Sequence, residues 1–147
     1  MIIREYTLKD KKQIIKMVSD ILGCLFNGNP EQFEYVKEFN KRKNYIKYLV
    51  AETQGEEEKI IATMALRKED DKTLRLKRMY VRAGYRKRGI AQKMFSQLID
   101  FAKQQGYKKI LFSAYPVMEN ANRFFKRNKF NEINSEPEEQ FHFIREL

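Results

Sequence analysis

The sequence predicts an α/β (α+β) domain on a mixed, mostly antiparallel β-sheet flanked by helices, and three observations carry that prediction. Runs at residues 45–52, 60–66 and 73–81 are strand-like and separated by turn clusters, which is the pattern of an antiparallel meander. A long apolar stripe of helical period then runs from Gly89 to Gln105. A short apolar strand and a second short helix follow, so strand and helix alternate late in the chain. The full order reads β-α-α-β-β-β-α-β-α-β-β.

Residues 2–6 alternate weakly and are β-rich, which gives the first strand. Thr7 or Asp10 caps the next helix, where Ile14, Ile15, Val18, Ile21, Leu22 and Leu25 recur at helical spacing. "NGNP" at 27–30 is a turn, and 31–40 reads as a second helix with Phe33, Val36 and Phe39 on one side. Tyr45–Glu52 is a strand, "TQGEEE" turns the chain, and 60–66 returns. "EDDK" leads into Thr73–Val81, which alternates at Leu74, Leu76 and then Met79. The long helix shows Ile90, Ala91, Met94, Phe95, Leu98, Ile99, Phe101 and Ala102 on one stripe, and Gly106 stops it. Lys109–Ala114 is a short buried strand, and 120–128 is a short helix carrying Ala121, Phe124 and Phe125. Segments 130–133 and 140–144 close the chain as two β elements around "NSEPEE".

Length and composition bound the class. The 147 residues fit one domain, 1–147, long enough to bury a core without staples. A hydrophobic content of 42% with 13% aromatics points to a packed fold rather than disorder. The one cysteine, Cys24, cannot form an intrachain disulfide, which favours a reducing cytoplasm. Beside a single histidine, His142, it is poor material for a metal site, so no metal is expected. No apolar run approaches the ~20 residues of a membrane span, and "MIIREYTLKD" has no signal-peptide pattern. A net charge of +10 suits an anionic ligand, and equally a lysine-rich surface that only keeps the chain soluble. The aromatics fall mainly on apolar stripes rather than between exposed basic residues, which argues against a specific nucleic-acid partner.

The stretch "LKRMYVRAGYRKRGIAQKMF", 76–95, joins a strand to a helix through a basic loop. The first turn of a helix offers free N–H groups and the positive end of a dipole. Gly89 and Ala91 keep side chains out of the way of an incoming anion, and Arg86 and Arg88 add charge. The physics points to pyrophosphate, with a plain helix cap as the other reading. The dinucleotide and P-loop glycine patterns are absent.

"YRKRGIAQKMF", 85–95, resembles motif A of the GNAT superfamily, the Gcn5-related N-acetyltransferases. Their pattern Arg/Gln-x-x-Gly-x-Gly/Ala is met by Arg86, Lys87, Arg88, Gly89, Ile90 and Ala91. The preceding "MYV" resembles the family's fourth strand. The long helix, "KILFSAY" and "NANRFFKRNKF" resemble the rest of the acetyl-CoA half. Residues 72–130 carry the resemblance; before them it is architectural.

The resemblance implies an acetyl-CoA-dependent N-acetyltransferase that moves an acetyl group to a primary amine by direct attack. Acetyl-CoA would lie in a V-shaped gap between the fourth and fifth strands. Its pyrophosphate would sit on the backbone N–H groups from Arg86 to Ala91, with Gln92, and its pantetheine arm would pair with Met79, Tyr80 and Val81. A main-chain N–H in that strand would polarise the thioester carbonyl. No covalent enzyme intermediate is needed.

The chain departs from the family where Asn-x-x-Ala-x-x-x-Tyr-x-x-x-Gly-Phe is common. Met118, Ala121, Phe125, Lys129 and Phe130 stand at those five positions. Phe125 replaces the tyrosine that often protonates the departing thiolate, and a phenyl ring has no proton to give. Water, Tyr115 or Tyr80 would take that part, and Phe125 would be core or flank the pantetheine arm. A catalytically weak or silent acyl-CoA-binding sensor is the alternative reading. Glu52 and Glu119 are the candidate general bases, and His142 reads as structural. The acceptor is a small-molecule amine or a protein amine. "EPEE" at 136–139 would attract a cationic one, and "KRK" at 41–43 an acidic one. A monomer or homodimer in the cytoplasm, with no membrane partner, completes the expectation.

Overall fold

The computed structural model describes residues 1–26, 45–55, 57, 59–114, 119–134 and 140–147. The predicted turn at 27–30 and helix at 31–40 lie outside them. Seven strands form one sheet: β1 (Ile2–Glu5), β2 (Tyr45–Glu52), β3 (Ile60–Lys68), β4 (Thr73–Val81), β5 (Lys109–Ala114), β6 (Asn131–Ile133) and β7 (Phe141–Glu146). Their order is β1-β2-β3-β4-β5-β7-β6. Every neighbouring pair is antiparallel except β4 and β5.

The meander forms as its strand-like runs and turn clusters predict. β3 is its central strand and is buried from Ile60 through Leu66, so its apolar run is nearly continuous rather than alternating. β3 extends two residues past its predicted end because Arg67 and Lys68 still pair with Arg75 and Leu74. β7 likewise runs on to Glu146, opposite Lys109.

The helices divide between the two faces. On one, α1 (Lys11–Phe26) buries Ile14, Met17, Val18 and Leu22 against Tyr48, Val50, Ile60 and Ala65. Its entrance is a 3₁₀ turn, Leu8–Asp10, where the Thr7 N–H donates to Asp10 Oδ2 at 2.8 Å. Thr7 and Asp10 thus act together at the start. On the other face, α2 (Ile90–Gln104) buries Ile90, Met94, Phe95, Leu98, Ile99 and Ala102. These pack in one core with Leu49, Met64, Leu66, Leu74 and Leu76. Gly106, at φ 84°, stops α2. Its N–H donates to Lys103 O and that of Tyr107 to Ala102 O, both at 3.1 Å, which closes a Schellman motif.

α3 (Glu119–Arg127) joins the same core through aromatic rings. Phe125 stacks on Phe112 at 4.0 Å between centroids and meets Phe143, Phe130 and Phe124 at 5.4, 4.9 and 5.3 Å. Such contacts add to the large area each ring buries. Among the described residues no helix is long and apolar enough to cross a membrane.

One irregularity positions the site. β4 and β5 pair only at Thr73–Lys109, Leu74–Ile110 and Arg75–Leu111. Beyond Arg75, β4 runs on to Val81 without β5, while β5 stays with β7 as far as Ala114. β4 also bulges: Thr63 faces Tyr80 and Ala65 faces Lys77, so Arg78 and Met79 together oppose Met64. Arg78 is left-handed at φ 58°, and its carbonyl accepts from Thr63 Oγ1 at 2.7 Å.

Candidate active site

The β4–β5 gap and the loop after β4 make one continuous feature. The Arg82 N–H donates to Ile61 O at 2.9 Å, and a 3₁₀ turn, Ala83–Tyr85, then reverses the chain. Lys87 and Gly89 are left-handed, at φ 62° and 79°. Such residues set among right-handed ones curl a backbone so that its N–H groups face a shared concavity. The first bond along α2 is Lys93 N–H to Gly89 O at 3.0 Å. The N–H groups of Ile90, Ala91 and Gln92 therefore precede any acceptor within the helix. A Cβ built on Gly89 meets nothing within 4 Å. Glycine is needed there for its backbone angle, and the space beside it is open. That space and those donors fit a pyrophosphate.

The predicted side chains take specific places around the loop. Arg86 Nε folds back to Val81 O at 2.9 Å. Arg88 lies over the Tyr85 ring at 5.2 Å, and Lys59 lies 5.4 Å from the same ring. Among the described residues no carboxylate pairs with Arg86, Lys87 or Arg88. Gln92 Nε2 donates to Asn128 Oδ1 at 2.8 Å, and Asn128 Nδ2 to Phe124 O at 2.9 Å. This ties the start of α2 to the end of α3 and leaves Gln92 its backbone N–H as a donor. Met79, Tyr80 and Val81 form the stretch of β4 that β5 has left. Burial pushes the Tyr80 phenol up to about 12, which makes it a weaker acid than an ordinary tyrosine.

Two expectations change, and two more cannot be placed. Glu52 is not poised as a base. Its oxygens accept from Arg4 Nε and Nη2 at 3.1 and 3.0 Å, and those bonds hold its carboxyl below the ordinary range. It also sits on β2, with β3 between it and the gap strand. A carboxylate so held is a poor proton acceptor. Phe125 is fully buried within the ring cluster, so in this structure it offers no surface to a pantetheine arm. Tyr115 and the side chain of Glu119 lie outside the described residues.

The sequence reading missed a polar network at the apex of the gap. Arg75 Nη1 donates to Ser113 Oγ at 3.1 Å, and that oxygen lies 2.8 Å from Nδ1 of the buried His142. The three sit on β4, β5 and β7, and strand alternation was the only signal that put Ser113 opposite the Phe112 face. A separate groove of about 240 Å³ lies between α2, α3 and β7, lined among others by Gln92, Phe95, Arg127, Asn128 and Arg145. None of its lining residues comes from β4 or β5. Among the described residues no group of three His, Cys, Asp or Glu could hold a metal ion.

Several solved structures share this fold. A GNAT-family acetyltransferase from Staphylococcus aureus Mu50 superposes with a TM-score of 0.84 at 24% identity, covering 99% of this chain and 98% of the other. The PaiA N-acetyltransferase of Thermoplasma acidophilum, in complex with coenzyme A, gives 0.77 at 12%, covering 99% and 98%. A ribosomal-protein-alanine N-acetyltransferase from Brucella melitensis gives 0.75 at 15%, covering 100% of both chains. No curated protein matches the sequence. The acetyltransferase (GNAT) family profile matches residues 15–130. With its loop, its split sheet and that match, the chain belongs to the GNAT family of acetyltransferases.

Proposed function

We propose that the protein, acting as one domain, transfers the acetyl group of acetyl-CoA to a primary amine by direct attack. The pyrophosphate rests on the backbone N–H groups of the Arg86–Gln92 loop, and the pantetheine arm runs along Met79, Tyr80 and Val81. The observation that carries this is the departure of β5 from β4 after Arg75, on a strand that leads through a short loop to a helix entrance whose first N–H groups have no acceptor in the helix. An extended amide chain can enter there as a strand would. The coenzyme A bound to the Thermoplasma protein supports the cosubstrate class. The Brucella protein's name keeps a protein amine beside small molecules as acceptor.

Acetyl-CoA supplies the thioester. The amine nitrogen attacks its carbonyl carbon, the C–S bond breaks, and the acetyl group stays on nitrogen as an amide. The nitrogen gives its surplus proton to water, because Glu52 is committed to Arg4. A β4 main-chain N–H stabilises the developing oxyanion. The departing thiolate takes a proton from water or from Tyr80, although burial makes that phenol a weaker acid than an ordinary tyrosine.

Thiol release from acetyl-CoA, followed with and without an amine panel, tests this. Amine-dependent release with a matching acetylated product is expected. Tight acyl-CoA binding without release would favour a silent sensor, a reading that the proton-free, buried Phe125 supports.

A further inference from the structure

We propose that Arg75, fixed at the closed end of the β4–β5 gap, reads a carboxylate on the amine acceptor. The inference rests on the acetyl-transfer reading above and names its substrate class: amines that carry an acid group.

Position comes first. Arg75 is the last β4 residue paired with β5, so it stands at the apex of the gap. Its neighbours Leu74 and Leu76 are buried in the α2 core, so the alternation of a strand turns Arg75 to the opposite face. On the α2 face the apex is filled by Leu74, Leu76, Ile110 and Phe112. An acceptor that approaches the closed end of the gap from the other face meets Arg75.

The guanidinium is held in place. Nε donates to Glu69 Oε1 at 2.8 Å, and Nη1 donates to Ser113 Oγ, which is itself fixed by His142. Nη2 has no hydrogen-bond partner among the described residues. The Arg75 side chain is 24% exposed, so it is reachable yet partly desolvated. A planar cation with two nitrogens anchored and the third open is suited to a carboxylate.

The local charge is unbalanced. Glu69 Oε1 also accepts from Arg67 Nη2 at 2.9 Å, so two guanidiniums share one oxygen of one carboxylate. Burial works against the charge on Glu69, but Arg67 and Arg75 outweigh it and keep its carboxyl below the ordinary range. The cluster carries one positive charge more than it neutralises.

The test uses matched acceptors with the full chain and acetyl-CoA. The ω-amino acids from glycine through aminohexanoate are each compared with their own amide, and spermidine is the cationic contrast. For the best pair, kcat/KM should favour the acid by roughly tenfold to a hundredfold, the range of one charge-assisted bond. Arg75→Gln should collapse that ratio, and Arg75→Lys should restore part of it. Ser113→Ala, which frees Nη1, should lower the ratio several-fold and serves if Arg75→Gln does not fold. Equal rates for acid and amide in every pair, or a preference that survives Arg75→Gln, overturn the proposal and leave acetyl transfer standing. No thiol release with any amine overturns the acetyl-transfer reading itself, and this proposal with it.

Discussion

At the edge of the sheet, Arg4 commits its whole guanidinium to carboxylates and a carbonyl. Nε and Nη2 reach Glu52, Nη1 and Nη2 reach Asp10 at 2.8 Å each, and Nη1 also reaches Glu5 O. The loop after β4 is built the other way. Arg86 bonds a backbone carbonyl, Arg88 lies on a ring, and no described acid answers them. The N–H groups that follow lack helical acceptors. Both regions concentrate cations, but one is closed on itself and the other is open. The closed cluster locks β1 and β2 to the turn that starts α1, whereas the open loop leaves its N–H donors without an acceptor in the helix.

The sharpest way to break the contrast is Gly89→Glu. It places a carboxylate and a side chain where pyrophosphate is proposed to sit. CoA affinity should fall about a hundredfold or more, since a like charge is set against the ligand and its hydrogen bonds are lost. The left-handed angle should cost only about 1–2 kcal/mol of stability in a thermal melt.

Arg4→Ala breaks the closed cluster instead. It leaves the buried Asp10 beside Glu52 with no cation between them. Solvent at this partly exposed site moderates the loss to about 2 kcal/mol, to be read by urea unfolding. CoA affinity should be unchanged. The wild type should also lose this contribution in acid. Asp10 and Glu52 have folded pKa values below their ordinary ones, each chiefly through its bonds to Arg4. Their stabilisation is complete above the unfolded values near 4 and disappears as pH falls through the folded ones. In Arg4→Ala that part of the acid limb should flatten.

Phe125→Tyr asks whether the missing family tyrosine limits turnover. The hydroxyl would enter a cluster of phenylalanine rings, so a loss of about 1–2 kcal/mol is expected. Turnover should not rise; a clear gain would put that position back beside the thioester. The smallest effect belongs to Glu52→Gln, at about 1 kcal/mol or less with solvent screening. Its turnover should stay within about twofold of wild type, and a collapse of kcat would restore Glu52 as the base.

What the sequence disclosed follows the same division. β2, β4 and β5 were legible to the residue because alternation and flanking turns are local signals. The loop was legible because Gly89 and the basic run sit together at a helix entrance. The role of Glu52 was not, since its partner Arg4 lies 48 residues away. The Arg75–Ser113–His142 network joins three strands that only the folded sheet brings together. The insertion of β7 between β5 and β6 is likewise a non-local pairing with no local sequence mark. Phe125 was ambiguous because an apolar ring on a short helix fits a core or a ligand channel equally well.

The most direct measurement is a calorimetric titration of wild type and Gly89→Glu with acetyl-CoA at moderate salt. Saturable one-to-one binding by the wild type, lost in a variant that still melts cooperatively, is the result predicted here. No binding by the wild type, or equal affinity in both proteins, would contradict the placement of the cofactor on this loop.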